Sequence, residues 1–416
     1  MSNNRATKTL SNPPTEANTS QNPITDHAVW ILFGLALIGL LLRLAPLLRD
    51  SVSGTMDSER YIDLARGLKH GCGLARRING ICGDVETLRT PGYPLFLAVM
   101  PSSRFAIAVQ GVSGAEVSLL IGLFVWTCWG LAAGAAAELL VALDIPSIVY
   151  GAMIMSDILF QAEVVAGIVL ALWIIWRGQS DCVAFAGVLI AAVLFAMATM
   201  VRPLGIVLPL FAALPAVLLP RLSWRRAICM ALLAFAISSS TPFAWIARNV
   251  QRTGVWVLST DGPIDLYYYK AAGIRWYRGN KSYPAVQDEL GRELGWPMQQ
   301  FTDVPPSLQH EMIRRALKII LHDPVASANM TLRCLGWLAI VPERGSLDGV
   351  LGTGTVTPYS SVASASRPRF AASGNVTTRV HEMLRSPLLT ALVAVQCFDN
   401  GFCMDRRGAR AGGSRS

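Results

Sequence analysis

The sequence predicts an all-α, polytopic membrane protein, and three observations carry the prediction. Of 416 residues, 52% are hydrophobic and only 15% are charged, whereas soluble domains carry about one quarter charged residues. The mean hydropathy is +0.43. Several apolar runs reach the roughly 20 residues that a spanning helix needs, and they do not alternate as the strands of a closed barrel would. The net charge of +9 points to basic loops lying against anionic headgroups. No basic stripe is interleaved with aromatics, so no nucleic-acid partner is expected.

The elements follow in chain order. Residues 1–27, rich in Asn, Thr, Ser and Pro, read as a disordered cytoplasmic tail. The run 28–48 is too long for a signal-peptide core and lacks a small-residue cleavage site, so it reads as a retained anchor. A large loop over 49–104 follows. Further spans fall at about 105–133, 135–155, 158–176, 183–200, 204–219 and 227–247. The stretch 135–155 carries Glu138, Asp144 and Pro146 and is the least regular of them.

Short loops set the orientation. "RLSWRR", residues 221–226, places three arginines between two spans, and such loops stay cytoplasmic. Counting backwards puts 199–205 outside, 177–182 inside, 154–157 outside and the turn near 130–134 inside. The loop 49–104 is then outside and the N-terminus inside. By this count Asp57, Arg89, Asp157, Arg202 and Arg248 share one membrane face.

The bundle with its loop thus occupies 28–250, and 251–324 reads as a small extracytoplasmic subdomain. Within it, 265–279 shows neither a helical nor an alternating period. Residues 306–324 read as a helix, with Ser307 as N-cap, a stripe of Met312, Ala316, Ile319 and Ile320, and Asp323-Pro324 as the stop. A further span is expected over 325–342, then a polar, Arg-containing loop over 343–386. The segment 387–416 starts as a span but fails after about eleven residues, short of the length required. It reads as a truncated or frame-shifted end, or as a short interfacial segment.

Eight cysteines show no CxxC pair and no zinc-ligand spacing. Cys72 and Cys82 flank one short segment of the first loop. A disulfide between them suits an extracytoplasmic loop; two separate small residues are the alternative.

Three stretches are candidates for chemistry. Tyr61, Leu64, Ala65 and Leu68 follow Asp57 at the spacing of an amphipathic helix lying at the membrane surface. Asp57 at its head is either an N-cap or a base near the headgroup plane. "LRTPGYPLF", residues 88–96, sets a rigid turn around Arg89 and Tyr93. A guanidinium there suits phosphate oxygens, or snorkels from an ordinary re-entry loop. "MSDILFQAE", residues 155–163, opens a span with Asp157, again a cap or a site acid. Glu163 lies deeper and off the face shared by Asp157 and Gln161. Arg202-Pro203 and the Trp245, Arg248, Asn249 cluster are weaker signals, either anchors or ligands. No Walker loop, GxSxG, HExxH or Rossmann fingerprint occurs, so ATP-driven transport, serine hydrolysis and zinc proteolysis have no support.

Taken in order, these stretches resemble the bacterial GT-C glycosyltransferases. These are relatives of the protein O-mannosyltransferases and the lipid A aminoarabinose transferases, in the manner of glycosyltransferase family 39. The resemblance rests on the acid after the first span in "DSERYIDLA", on "HGCG", on "RTPGYPLFLA", on "SDILF", on Arg202-Pro203 and on "WIARN". It covers about 28–341. It implies a GT-C-like helix bundle in the bacterial inner membrane, with amphipathic helices in the first extracytoplasmic loop. It also implies transfer of a sugar from a polyprenyl-phosphate donor to a lipid, glycan or protein acceptor at the outer face. Asp57 is then the general base of a single inverting displacement, Asp157 positions the acceptor or a cation, and Tyr61, Arg89, Tyr93, Arg202 and Arg248 bind substrate. A divalent cation, Mg²⁺ or Mn²⁺, between Asp57 and Asp157 suits their hard oxygens. One departure bears on the metal: the glutamate expected directly before the proline turn is replaced by Leu88, with Glu86 two residues earlier. The alternative function is a transporter or flippase of a lipid-linked or small polar substrate, which predicts inverted repeats and broken helices. Neither is visible in the sequence. An inactive, scaffolding relative is the third reading.

Overall fold

A computed structural model describes residues 23–48, 56–177, 181–219, 222–298, 300 and 304–340. The loop expected over 343–386, the segment 387–416 and most of the N-terminal tail lie outside the described residues. Helix α1 (Pro23–Leu44) starts inside what reads as tail, because proline's fixed φ suits a first helical position. One 3₁₀ turn, Ala45–Leu48, extends it.

The first large loop is built in three pieces. Helix α2 (Met56–Lys69) buries Tyr61, Leu64 and Ala65, as its periodicity predicts. A hairpin of β1 (Ala75–Ile78) and β2 (Ile81–Val85) follows, antiparallel, with Ile78 paired to Ile81. The all-helical expectation misses it. Its turn is Asn79-Gly80, both at positive φ (50° and 83°), the dipeptide that tight hairpins favour. Cys72 and Cys82 are disulfide-bonded across this hairpin, with Cα atoms 5.5 Å apart. Helix α3 (Gly92–Val99) then re-enters the bundle.

Five described helices are long and apolar enough to cross a membrane. They are α1, α4 (Ser103–Trp129), α7 (Asp157–Arg177), α8 (Asp181–Val201) and α10 (Trp224–Thr253). The chain is therefore an all-α, polytopic membrane protein with one small hairpin. The expected span 135–155 is instead two helices, α5 (Leu131–Ala142) and α6 (Ile145–Gly151), bent by 49°. Asp144 and Pro146 cause the break: the Asp144 carboxylate accepts the Ser147 N–H at 2.9 Å and the proline begins a new helix. The expected span 204–219 is a shorter apolar piece, a 3₁₀ turn (Pro203–Val207) and α9 (Leu208–Leu218), interrupted by Pro215.

Arg43 holds the break between α5 and α6. It is fully buried and donates to the carbonyls of Val141 at 3.1 Å and Ala142 at 2.9 Å, and to Ser147 Oγ at 3.0 Å. These are the carbonyls that a helix end leaves without intrahelical donors. Gly114 of α4 lies against the guanidinium, where a Cβ would meet Arg43 Nε at 2.5 Å.

The bundle packs in chain order: α1 on α4 and α5, α4 on α7, α7 on α8, and α8 on α9 and α10. At 1.5 Å per residue, α10 is about 45 Å long against a hydrocarbon core of roughly 30 Å, so its last turns project beyond it. They carry Arg248 and Asn249 to the subdomain. There α11 (Asp261–Ile264), a π-helix (Asp265–Ala271), α12 (Ala272–Arg278) and α13 (Tyr283–Leu294) lead to α14 (Gln309–His322). The stretch 265–279 is thus helical, against the expectation that it has no period. Its buried positions Tyr267, Tyr268, Ala271 and Ala272 in fact fall at helical spacing, and the run of tyrosines through Tyr269 masks that stripe in the sequence. Ser307 does not cap α14; it sits in a 3₁₀ turn and Leu308 takes the cap position. Leu88 of the first loop inserts into the same core as Tyr267, Leu290 and Met312. Helix α15 (Pro324–Ile340), where a last span is expected, runs to the end of the described residues.

Candidate active site at one end of the bundle

The turn before α3 is fixed from every side. Glu86 accepts the N–H groups of Leu88 at 2.6 Å and Arg89 at 3.2 Å, and both its oxygens take the Arg60 guanidinium, at 2.9 and 3.1 Å. The Thr87 carbonyl accepts the Thr260 N–H at 2.9 Å, and the Leu88 carbonyl the Ser259 hydroxyl at 2.5 Å. At the far end of the turn, Gly92 presses on the end of α8. A Cβ there would lie 2.6 Å from the Met200 carbonyl, which is backbone and cannot yield. Thr90 also donates to the Val201 carbonyl at 3.3 Å.

This frame aims Arg89. Its Nη2 reaches Asp57 Oδ1 at 2.5 Å and its Nη1 reaches Asp261 Oδ2 at 2.6 Å, joining α2 to α11 through one guanidinium. The Arg89 side chain is 12% exposed and lies over the Tyr61 ring, 5.5 Å from its centroid. Tyr61 in turn shares a hydrogen bond with Ser156 at 3.2 Å, next to Asp157. Asp157, at the head of α7, pairs with Arg202 at the end of α8. Its other oxygen, Oδ2, is buried without a hydrogen-bond partner. Asp265 lies one turn beyond Asp261, its own N–H bonded to the Asp261 carbonyl.

Electrostatics tie these groups together. Burial raises the Asp261 carboxyl above the usual carboxylate range, and Arg89 opposes that rise. Burial pushes Asp265 up to about 6, with Asp261 and Asp57 adding to the rise and Arg89 and Arg202 opposing it. Burial likewise raises the Tyr61 phenol.

The sequence-predicted residues divide into two groups. Asp57, Arg89, Asp157, Arg202 and Tyr61 meet at one end of the bundle. Asp57 is no N-cap: it lies inside the first turn of α2 and its side chain is on Arg89. Tyr93 and Arg248 do not line the site. Tyr93 is wholly buried, stacked edge-on against Tyr61 at 4.7 Å, with its hydroxyl on Gln110 at 2.6 Å. Arg248 is committed to the Glu86 carbonyl and Asn249 Oδ1, each at 2.8 Å, and to the Trp245 ring. Both are braces for the turn. Glu163 is likewise apart from the cluster.

Asp261, Asp265, Glu86 and Ser156 are missed by the sequence reading. The Ser-Thr-Asp-Gly run at 259–262 is a turn signal, but nothing local ties it to Arg89, 172 residues earlier.

The arrangement does not fit a divalent ion between Asp57 and Asp157. Each acid already faces its own guanidinium. Among the described residues no group of three or more His, Cys, Asp or Glu side chains could hold an ion. A surface pocket lined by Asp288, Arg292, Trp296 and Met298 lies along α13 and shares no residue with the cluster. Compared with protein-family models, curated proteins and solved structures, the chain matches none of them.

Proposed function

We propose that the chain is a GT-C-like integral-membrane glycosyltransferase that moves a sugar from a polyprenyl-phosphate donor to a lipid, glycan or protein acceptor. The observation that supports this most is the pair of carboxylate-held guanidiniums, Arg89 and Arg202, at one end of an apolar bundle. A leaving lipid phosphate needs fixed positive charge beside it, and guanidinium forks match its oxygens. Both arginines are oriented in advance by acids. An arriving phosphate competes for them with Asp57 and Asp157 and frees carboxylate oxygens next to the reacting carbon. The acceptor hydroxyl then displaces the phosphate in one inverting step, and a carboxylate of the cluster takes its proton. Sequence reasoning gives that role to Asp57. The arginines carry the charge that a metal would otherwise supply, so no step is assigned to a cation.

Two features support an outer-face site on a cytoplasmic (in a bacterium, inner) membrane. The Cys72–Cys82 disulfide lies in the hairpin that leads into the Arg89 turn, and disulfides persist in oxidising compartments. The opposite end carries Arg225 and Arg226, the latter 3.5 Å from Asp181, and basic short loops stay inside.

The test is sugar transfer from short-chain polyprenyl-phosphate hexoses and pentoses by the full chain in liposomes, alongside mass analysis of envelope glycans and lipids with and without it. Asp57→Asn should abolish transfer. No transfer from any donor, with unchanged envelope glycans, sinks the reading.

One observation favours the transporter reading: the broken α5–α6 pair, a feature of transporter sites. Its freed carbonyls, however, are taken by Arg43 and not left for an ion or substrate. Flux of a labelled lipid-phosphate sugar without glycosyl product would reverse the choice.

A further inference from the structure

Four carboxylates gather around two guanidiniums at this site, and three are committed. Asp57 and Asp261 bind the two arms of Arg89, and Asp157 binds Arg202. Asp265 has neither an ion pair nor a hydrogen bond from its side chain among the described residues; the residue as a whole reaches solvent, while its carboxyl lies among the neighbouring acids and is partly desolvated. It follows Asp261 by four residues, so the two carboxylates share one face of the same helical run. That run changes from α to π geometry at Asp265 itself, a rare conformation that recurs at functional sites.

We propose that Asp265 is the catalytic proton acceptor of the transfer reaction, and that Asp57 and Asp261 serve chiefly to orient Arg89. The assignment rests on the transferase reading above. In the step itself, a lone pair of the acceptor oxygen forms the new bond to the anomeric carbon. The bond from that carbon to the phosphate oxygen breaks, its electron pair leaving with the phosphate. The acceptor's hydroxyl proton passes to the Asp265 carboxylate.

Charge supports this division of labour. Arg89 holds two acids by charge-assisted bonds, so the oxygens of Asp57 and Asp261 that face it are occupied, whereas those of Asp265 are open to a new proton. The groups facing Asp265 are Asp261 on its own run, Asp57 on α2, Arg89 on the turn and Arg202 after α8. Charges on the helices packed behind it are paired among themselves, Glu311 with Arg314 and Arg315, and Arg275 with Glu293. Burial and the neighbouring acids hold the Asp265 carboxyl at about 6, close to the range in which a general base works best at neutral pH. Protonation of Asp265 during the reaction also relieves the crowding of four acids while the phosphate, still anionic, leaves.

The experiment uses the full chain in liposomes, with a farnesyl-phosphate sugar as donor. Asp265→Asn should lower kcat by about 10²- to 10⁴-fold, leave donor KM within a few-fold, and abolish the acid limb of the pH–rate profile near pH 6. Asp265→Glu should restore part of the rate and a shifted acid limb. Farnesyl phosphate alone should bind wild type and Asp265→Asn equally, which separates loss of chemistry from loss of folding. Wild-type kcat with an unchanged acid limb in Asp265→Asn overturns the assignment to Asp265 and leaves the transferase reading standing. Absence of transfer by the wild-type chain overturns both.

Discussion

Arg89 holds Asp57 and Asp261 with separate arms of one guanidinium, at 2.5 and 2.6 Å, and so ties the first loop to the subdomain that follows the bundle. Lysine offers a single point charge and cannot span two carboxylates in this way. Arg89→Lys is therefore expected to lose at least about 10²-fold in kcat/KM. Asp57 is 39% and Asp261 24% exposed, so solvent screens the pair and the stability loss stays at about 1 kcal/mol or less. Transfer assays and melting in detergent measure the two effects. Full activity in the lysine variant contradicts the bridging role.

A second prediction concerns Gly92. Its Cα lies so close to the end of α8 that an added Cβ meets Met200 and Val201 backbone at 2.6 to 2.7 Å. Neither side can give, because α8 is packed on α7, α9 and α10. Gly92→Ala should cost about 1–3 kcal/mol by overpacking and should also lower activity, since it separates Arg89 from Arg202. The melting temperature and the rate should fall together. An unchanged melting temperature contradicts the close approach, whatever the rate.

The first half of this site was legible in the sequence and the second was not. Asp57, Arg89, Asp157 and Arg202 each stand at the end of an apolar run, and counting loops puts them on one face. The stripe of Tyr61, Leu64 and Ala65 showed α2. Asp261 and Asp265 were hidden because nothing local marks them as more than turn and helix-start acids, and because the partner of Asp261, Arg89, is distant in the chain. The hairpin carried its signal, Asn79-Gly80, but its flanks, "LARRI" and "ICGDV", lack clean alternation. Tyr93 and Arg248, expected to bind substrate, have their polar groups on Gln110 and on Glu86 and Asn249 in this structure, because sequence tells that a polar group is near a site, not which bonds it makes.

Arg43 supplies a third prediction. It is buried inside the bundle and its donors cover the ends of a broken helix. Removing it leaves the Ala142 carbonyl without a donor in an apolar interior, and the Val141 carbonyl with the Asp144 N–H at 3.3 Å. Arg43→Met, which keeps the volume and loses the bonds, should destabilise by about 3–5 kcal/mol and deplete the folded protein in membranes. Gly114→Ala should act in the same direction by pushing on the guanidinium. Normal folding yield of Arg43→Met would remove the clamp from the account.

The pH dependence of stability has a definite sign. The folded Asp265 carboxyl is raised to about 6 and Asp261 is raised as well, against 3.8 for an ordinary Asp. The folded state thus binds more protons than the unfolded chain between about pH 4 and pH 6, so stability falls as pH rises through that window. Above it Asp265 is ionised and its cost is fully present. Asp265→Asn should then melt higher than wild type at pH 7 and match it near pH 4. A constant difference across that range is the result to exclude.

Sidedness is testable with the protein's own thiols. Cys72 and Cys82 form a disulfide at the end of the molecule that carries Asp57 and Arg89, while Cys182 is exposed at the start of α8, toward the other end. The chain with Cys182 as its one free thiol should resist a membrane-impermeant maleimide in intact cells and react in inverted vesicles. A membrane-impermeant reductant should open the Cys72–Cys82 bond in intact cells, with a stability loss of about 2–3 kcal/mol expected for so short a closed loop. The two reagents approach from opposite sides, so each result checks the other. Labelling of Cys182 from outside, with the disulfide protected, would turn the cluster to the cytoplasm. There a polyprenyl-phosphate sugar delivered to the outer leaflet could not reach Arg89.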